Sequence, residues 1–175
     1  MAEVVQKAQA AVGVSVVPVS VGTKLATGIK LKETDIQKAD VSLDGIPGKI
    51  VILGVPGAFS PTCSDQIPSY LKKYEDFTSK GIKAVYVVAV NDLFTVEAWK
   101  EKLGGAGKQI RFLADDGGKW SAAVGTAFDA SPLFGNYRSH RFAMLVEDGV
   151  VKAFTQEADP SKVTTTSADD FLAKL

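Results

Sequence analysis

The sequence is poor in cysteine and histidine, two residue types that often build reactive sites. Its 175 residues include one cysteine, Cys63, and one histidine, His140. A single cysteine excludes an intrachain disulfide, which is compatible with a reducing compartment. The 20 basic and 20 acidic residues cancel, so nothing favours a general affinity for nucleic acid or for acidic membranes. The length, together with an ordinary content of 46% apolar residues, indicates one globular domain over 1–175.

Neither end of the chain carries an apolar run of the roughly 20 residues that a membrane-spanning helix needs. The segment AQAAVGVSVVPVSVG (8–22) is apolar, but Pro18 interrupts it and charges of both signs precede it. We interpret it as a lead-in to a strand and not as a signal peptide. The C-terminal tripeptide Ala-Lys-Leu (173–175) is close to the Ser-Lys-Leu peroxisomal address, with chance similarity as the alternative. We therefore expect a cytoplasmic or a peroxisomal protein.

Apolar runs of strand length alternate with segments of helical periodicity. Strands are predicted over 49–55, 83–90 and 110–115, and the first two are the continuous apolar runs typical of buried parallel strands. Between those two strands, apolar side chains recur at the spacing of one helix face. These side chains are Ile67, Tyr70, Leu71, Tyr74 and Phe77.

The second half of the chain contains further helices and a hairpin. The predicted helices span 93–103, 118–125 and 167–175. Ser167 is the predicted N-cap of the last helix. The segment 141–157 is predicted to be a β-hairpin that turns at Asp148-Gly149, whereas 129–140 is typical of a surface loop. This order of elements predicts the α/β class, with a mixed central β-sheet flanked by helices.

The position of Cys63 is unusual for a lone cysteine. It follows the predicted strand 49–55, and the pair Ser60-Pro61 is a helix-start signature with a capping hydroxyl and a proline at the first helical position. Cys63 then lies in the first turn, where free N–H groups and the helix dipole favour a thiolate. A small buried apolar residue is the alternative interpretation of a lone cysteine. The placement between a buried strand and a capped helix favours a chemical role.

The stretch PGAFSPTC (56–63) resembles the peroxiredoxin active-site motif Pro-x-x-x-(Thr/Ser)-x-x-Cys. It is similar in particular to the type II group related to peroxiredoxin 5. Further matches cover VNDLFTVEAW (90–99), RFLADDGGKW (111–120) and RSHRFAMLVEDGVV (138–151). The resemblance implies a thioredoxin-like fold, which agrees with the alternation of strands and helices, and a thiol-dependent peroxidase without a metal or a bound cofactor.

The resemblance also implies a set of catalytic residues. Cys63 corresponds to the peroxidatic cysteine that becomes a sulfenic acid, and Ser60 to the hydroxyl that binds the peroxide. Pro56 corresponds to the proline that shields the sulfur from water. Arg141 corresponds to the arginine that stabilises the thiolate and polarises the O–O bond. The apolar run that follows directly distinguishes Arg141 from the nearby Arg138.

Two departures from the family pattern bear on mechanism. Many type II members carry a histidine shortly after the cysteine, whereas the segment here is shorter and has Gln66 in that vicinity. Animal relatives place a resolving cysteine near the C-terminus, and VTTTSADDF (163–171) contains none. The resemblance therefore implies a single-cysteine mechanism that depends on an external thiol, either glutathione with glutaredoxin or thioredoxin. It also implies a non-covalent homodimer that pairs through the loop SPLFGNY (131–137).

Two other functions are considered beside the peroxidase. A thioredoxin-fold binding module would have lost catalysis, and the intact proline, serine, cysteine and arginine set speaks against this. A cysteine-dependent hydrolase would need His140 as a base, but no orienting carboxylate is identifiable for it. Trp99 and Trp120 are expected in the core and not at a substrate site.

Overall fold

The computed structural model of the protein describes residues 18–105 and 110–175. The predicted lead-in over 8–22 therefore falls largely outside the described residues. The strands are β1 (Lys30–Leu31), β2 (Val41–Ser42), β3 (Lys49–Val55), β4 (Ile82–Ala89), β5 (Ile110–Ala114), β6 (Ala127–Asp129), β7 (Tyr137–Ser139), β8 (Phe142–Glu147) and β9 (Val150–Gln156). The helices are α1 (Pro61–Lys72), α2 (Tyr74–Ser79), α3 (Leu93–Lys102), α4 (Lys119–Ala123), α5 (Ser131–Phe134) and α6 (Ala168–Leu172).

The main sheet has five strands in the order β5-β4-β3-β8-β9. β3, β4 and β5 are parallel, whereas β8 pairs antiparallel with β3, and β9 pairs antiparallel with β8. This arrangement confirms the predicted mixed sheet flanked by helices. The two parallel crossovers run through α1 with α2 and through α3, as the spacing of strands and helices predicts.

Apolar packing on both faces explains why β3 is a continuous apolar run. Val51, Leu53 and Val55 pack on one face in the same cluster as Trp99, whereas Ile50 and Ile52 pack on the other face in the cluster of Trp120. Successive side chains of a strand point to opposite faces, so a sheet covered on both sides needs apolar residues at every position. Both tryptophans are fully buried, which confirms their assignment to the core.

Local sequence signals predict most element boundaries to within two residues of those in the structure. The predicted hairpin turns at Asp148-Gly149, and both residues have positive φ (49° and 78°), as a tight two-residue turn requires. Ser167 caps α6, because its hydroxyl accepts a hydrogen bond from Asp170 N at 3.1 Å. The helical residues between β3 and β4 fall into two helices, α1 and α2, with Lys73 between them.

The segment 129–140 is more ordered than a loop. It contains α5, and β7 pairs antiparallel with β6, so the prediction of an irregular surface loop is wrong for most of its length. Gly135 ends α5 in the left-handed conformation, with φ of 74°. The apolar residues Leu133 and Phe134 of this segment are exposed, as a surface segment requires. None of the helices in 18–105 and 110–175 is long and apolar enough to cross a membrane.

Candidate active site

Cys63 lies at the carboxyl edge of the parallel strands. It is the third residue of α1, which follows β3 after a five-residue loop (56–60), and its side chain is fully buried. The first N–H groups of a helix have no partner within the helix and carry the positive end of its dipole. The fold therefore sets the sulfur among groups that attract an anion.

The helix start at Ser60-Pro61 is confirmed, but Ser60 does not cap the helix with its hydroxyl. The Ser60 carbonyl accepts from Ser64 N at 2.9 Å, and the side chain makes no capping bond within the described residues. The expected capping bond is therefore wrong, although the extended backbone of Ser60 (φ −65°, ψ 144°) is the one usual for an N-cap residue. Ser60 is partly exposed and lies directly before the turn that carries Cys63.

The loop between β3 and α1 is held by its backbone. Ala58 N donates to Asn91 Oδ1 at 2.9 Å, which ties the loop to the second residue after β4. Pro56 is buried at the start of the loop. Phe59 has a positive φ of 63° and remains half exposed, a backbone conformation that costs energy for a non-glycine residue.

Arg141 brings a positive charge to the sulfur. Its Nη2 lies 3.4 Å from Cys63 Sγ, and both residues are fully buried. Nε and Nη2 donate to the Pro160 carbonyl at 3.1 and 2.9 Å, and Nη1 donates to Gln66 Oε1 at 2.6 Å. Among the described residues, the other hydrogen-bond acceptors of the guanidinium are a backbone carbonyl and a side-chain amide, both neutral.

Gln66 is a site residue whose contacts sequence reasoning missed. It lies three residues after Cys63, on the same side of α1, and it is buried. Its Nε2 donates to the Thr166 carbonyl at 2.9 Å and to Thr166 Oγ1 at 3.1 Å. The signal available in the sequence was the (i, i+3) spacing, which brings two residues of a helix to one side.

Glu157 organises the turn that carries Pro160 and Thr166. Its carboxylate accepts four hydrogen bonds, from the N–H and the hydroxyl of both Thr164 and Thr166, at 2.5–2.8 Å. Burial favours the protonated acid, but these donors outweigh it and lower the pKa of Glu157. Nothing in the local sequence singles out this glutamate, since its partners lie across a turn.

Arg138 lies at the edge of the site and not against the sulfur. Its Nη1 donates to the Val90 carbonyl at 2.8 Å and to Asn91 Oδ1 at 3.0 Å. Its guanidinium also lies 5.0 Å from the ring centroid of Phe134. Burial lowers the pKa of Arg138, while nearby Cys63 opposes that shift. Of the two arginines, Arg141 is the one that donates to Cys63.

His140 is not arranged as a catalytic base. Its ring packs on Phe128 with centroids 4.7 Å apart, and its buried Nδ1 has no hydrogen-bond partner in the described part of the chain. Burial lowers the pKa of His140, which favours the neutral ring. In the segments 18–105 and 110–175, no carboxylate orients the imidazole, as a hydrolase of the cysteine–histidine type requires.

Comparison with known proteins places the chain in a family. The redoxin family model matches residues 12–172. A Schizosaccharomyces pombe protein named peroxisomal membrane associated protein 20 is 47% identical over 130 residues, which cover 73% of this chain and 83% of that protein. A putative peroxisomal peroxiredoxin of Lipomyces kononenkoae is 35% identical over 150 residues, which cover 79% of this chain and 89% of that protein.

Solved structures agree with this relationship. Reduced Prx3 from Vibrio vulnificus in complex with hydrogen peroxide is similar with a TM-score of 0.80 at 32% identity, covering 90% of this chain and 99% of that one. Peroxiredoxin 5 from Alvinella pompejana is similar with a TM-score of 0.79 at 32% identity, covering 89% and 97%. The chain belongs to the redoxin family and, within it, to the peroxiredoxins. Peroxiredoxins are thiol-dependent peroxidases with a thioredoxin-like fold, and the predicted family and fold are confirmed.

Proposed function

We propose that this chain reduces hydrogen peroxide and alkyl hydroperoxides with Cys63 as the peroxidatic residue. The observation that carries the proposal is the 3.4 Å contact between Arg141 Nη2 and Cys63 Sγ. Both residues are fully buried, Cys63 in the first turn of α1 and Arg141 directly before β8. Support also comes from the Vibrio vulnificus neighbour, which was solved with hydrogen peroxide bound.

The balance of charge around Arg141 favours a thiolate. A buried guanidinium needs an anionic partner or many hydrogen bonds, because its removal from water is costly. Arg141 has the Pro160 carbonyl and Gln66 Oε1 as neutral acceptors, and no carboxylate of the described residues bonds to it. A deprotonated Cys63 then supplies the counter-charge, and the same thiolate is the nucleophile.

The first half-reaction is a displacement at oxygen. The Cys63 thiolate attacks the terminal oxygen of the hydroperoxide, the O–O bond breaks, and the leaving alkoxide or hydroxide takes a proton to become an alcohol or water. Cysteine is oxidised to sulfenic acid while the peroxide is reduced. Arg141 donors and the N–H of Cys63 stabilise the charge that develops on the two oxygens. The Ser60 hydroxyl, which makes no capping bond to the helix, binds the peroxide. Buried Pro56 keeps water from the sulfur.

The second half-reaction needs thiols from outside the chain. A first external thiol attacks the sulfenic acid of Cys63 and releases water, which leaves a mixed disulfide. A second thiol then reduces that disulfide and restores Cys63, and the oxidised donor leaves as a disulfide. Glutathione with glutaredoxin, or thioredoxin, fits this chemistry. The role is antioxidant defence and redox homeostasis.

A non-covalent homodimer and a peroxisomal location complete the proposal. Leu133 and Phe134 of α5 are 81% and 44% exposed, and exposed apolar side chains of this size favour a protein contact. Phe134 also packs under Arg138 at the edge of the site. Two relatives with peroxisomal names support the peroxisome over the cytoplasm.

Peroxide consumption with a thiol donor tests the proposal. Wild-type protein and His140→Ala are expected to consume hydrogen peroxide at similar rates, whereas Cys63→Ser is expected to be inactive and Arg141→Ala strongly impaired. A hydrolase would depend on His140 and tolerate the loss of Arg141. A binding module would leave peroxide unchanged in every variant. Thermal unfolding of each variant separates a loss of reactivity from a loss of fold.

A further inference from the structure

A directed chain of hydrogen bonds leads from a carboxylate to the guanidinium at the active site. Thr166 Oγ1 donates to Glu157 Oε1 at 2.8 Å, and Gln66 Nε2 donates to Thr166 Oγ1 at 3.1 Å. At the other end of that amide, Gln66 Oε1 accepts from Arg141 Nη1 at 2.6 Å. All four residues are buried. Each donor points towards the carboxylate, so the dipoles of the chain align and strengthen one another.

The groups around Gln66 permit one orientation of its side-chain amide. The Thr166 carbonyl accepts from the Tyr70 hydroxyl at 2.8 Å as well as from Gln66 Nε2. Because the Thr166 hydroxyl proton is committed to Glu157, that oxygen presents only lone pairs to the amide. A rotation of the amide by about 180° would set its oxygen against two acceptors and its N–H groups against Arg141.

We propose that Glu157 and Thr166 are positioning residues for the peroxide reaction, because they orient Gln66, which in turn holds the guanidinium of Arg141 towards Cys63. This inference rests on the proposed function of Cys63 and Arg141. Without the Thr166 hydroxyl, one of the two acceptors for the amide is lost, and the Thr166 carbonyl alone restrains its rotation. Arg141 then loses an aligned acceptor, and a displacement of about 1 Å at a reacting group is enough to slow a reaction substantially.

The chain offers a matched pair of threonines to test this. Thr164 and Thr166 both donate a hydroxyl to the Glu157 carboxylate, at 2.5 and 2.8 Å, but only Thr166 also contacts Gln66. Each is replaced by valine, which keeps the shape and removes the hydroxyl. The readout is the second-order rate constant of Cys63 oxidation by hydrogen peroxide, followed by tryptophan fluorescence in a stopped-flow instrument.

Thr166→Val is expected to lower this rate constant roughly tenfold, whereas Thr164→Val stays within about twofold of wild type. Thr166→Ser, which keeps the hydroxyl, is expected to restore the wild-type rate. Thermal unfolding measures the stability lost by each valine variant, and a loss shared by both variants cannot explain a rate difference between them. Equal rates for Thr164→Val and Thr166→Val would overturn the inference.

A double-mutant cycle tests the route through Gln66. Gln66→Met removes the amide, and Thr166→Val should then add no further loss of rate. A full additional loss would mean that Thr166 acts by another route and would overturn the proposal. If Thr166→Val does not fold, Gln66→Met alone tests the role of the amide. A wild-type rate of Cys63 oxidation in Gln66→Met would then overturn the proposal. A wild-type protein whose Cys63 does not react with peroxide refutes the proposed function instead.

Discussion

Arg141 Nη2 lies 3.4 Å from Cys63 Sγ although 78 residues separate the two in sequence. The register of the sheet accounts for this proximity. β3 and β8 are antiparallel neighbours, with Gly54 opposite Phe142, so the residue before β8 lies beside the end of β3. The chain leaves β3 at that end, passes through the loop 56–60 and enters α1, which carries the cysteine. The sheet thus brings the guanidinium and the sulfur together.

Replacing Arg141 by lysine tests how much the planar guanidinium contributes to the rate of Cys63 oxidation. A lysine keeps the charge, but its compact ammonium lacks the planar fork that reaches Gln66, Pro160 and the sulfur from separate nitrogens. We expect a loss of about 100-fold in the rate constant for Cys63 oxidation, as for removal of a preorganised donor. Arg111→Lys is the control, since Arg111 on β5 pairs with Glu33 and Tyr86. Equal rates for Arg141→Lys and Arg111→Lys would contradict the assignment of Arg141 to the reaction.

Gly54→Ala tests the packing that sets the register of β3 and β8. A Cβ at position 54 would lie 2.0 Å from Cε1 of Phe142, a fully buried ring. We expect a loss of about 1–3 kcal/mol in the free energy of unfolding and slower oxidation of Cys63, because Arg141 directly precedes Phe142. Chemical denaturation measures the first effect and stopped-flow fluorescence the second.

Gly117→Ala is the control for that experiment. A Cβ there would meet nothing closer than 3.7 Å, so its effect on the free energy of unfolding is expected to stay within about 0.5 kcal/mol. If Gly54→Ala were as stable and as reactive as Gly117→Ala, the ring would have moved without cost and the packing argument would be wrong.

Local patterns predicted the strands and helices around the site, because each depends on residues close in sequence. The apolar run of β3, the turn at Asp148-Gly149 and the cap at Ser167 all fall where periodicity and turn residues place them. The pairing of β6 with β7 was missed. Both strands have three residues, which is too short for an alternating pattern to stand out from a loop.

The candidate site was predictable only in part. Cys63 stands out by its position after a buried strand and in a first turn. Arg141 followed from the family resemblance, since an arginine at the start of a strand is usually a solvated charge. The link from Gln66 to Thr166 spans 100 residues and depends on how the final turn folds back over α1. Such contacts between distant segments leave no local pattern.

Leu133→Glu tests the proposed homodimer. Leu133 is 81% exposed on α5, and a charge there would oppose an apolar contact between two copies without disturbing the core. We expect the wild type to be a dimer at micromolar concentration and the variant a monomer, measured by light scattering. Val21→Glu is the matched control, because Val21 is also exposed (65%) and lies near the start of the described chain. A monomeric wild type would refute the dimer.

The products of Cys63 oxidation test the single-cysteine mechanism. Cys63 is the only cysteine in the chain, and its sulfur is fully buried, so a disulfide between two copies is disfavoured. One equivalent of hydrogen peroxide without a reductant is expected to add one oxygen to the intact mass, as sulfenic acid. Excess peroxide should carry the residue on to sulfinic acid and inactivate the protein.

Added glutathione separates the single-cysteine route from the alternatives. The sulfenic acid persists until a thiol reaches it, so glutathione is expected to convert the oxidised species into one adduct on Cys63, with loss of water. Cys63→Ser is the control and should show neither change in mass. Dithiothreitol should then release the adduct and restore peroxide consumption, because a mixed disulfide is reducible. A covalent dimer as the main product, or an intact mass that peroxide leaves unchanged, would show that the mechanism is wrong.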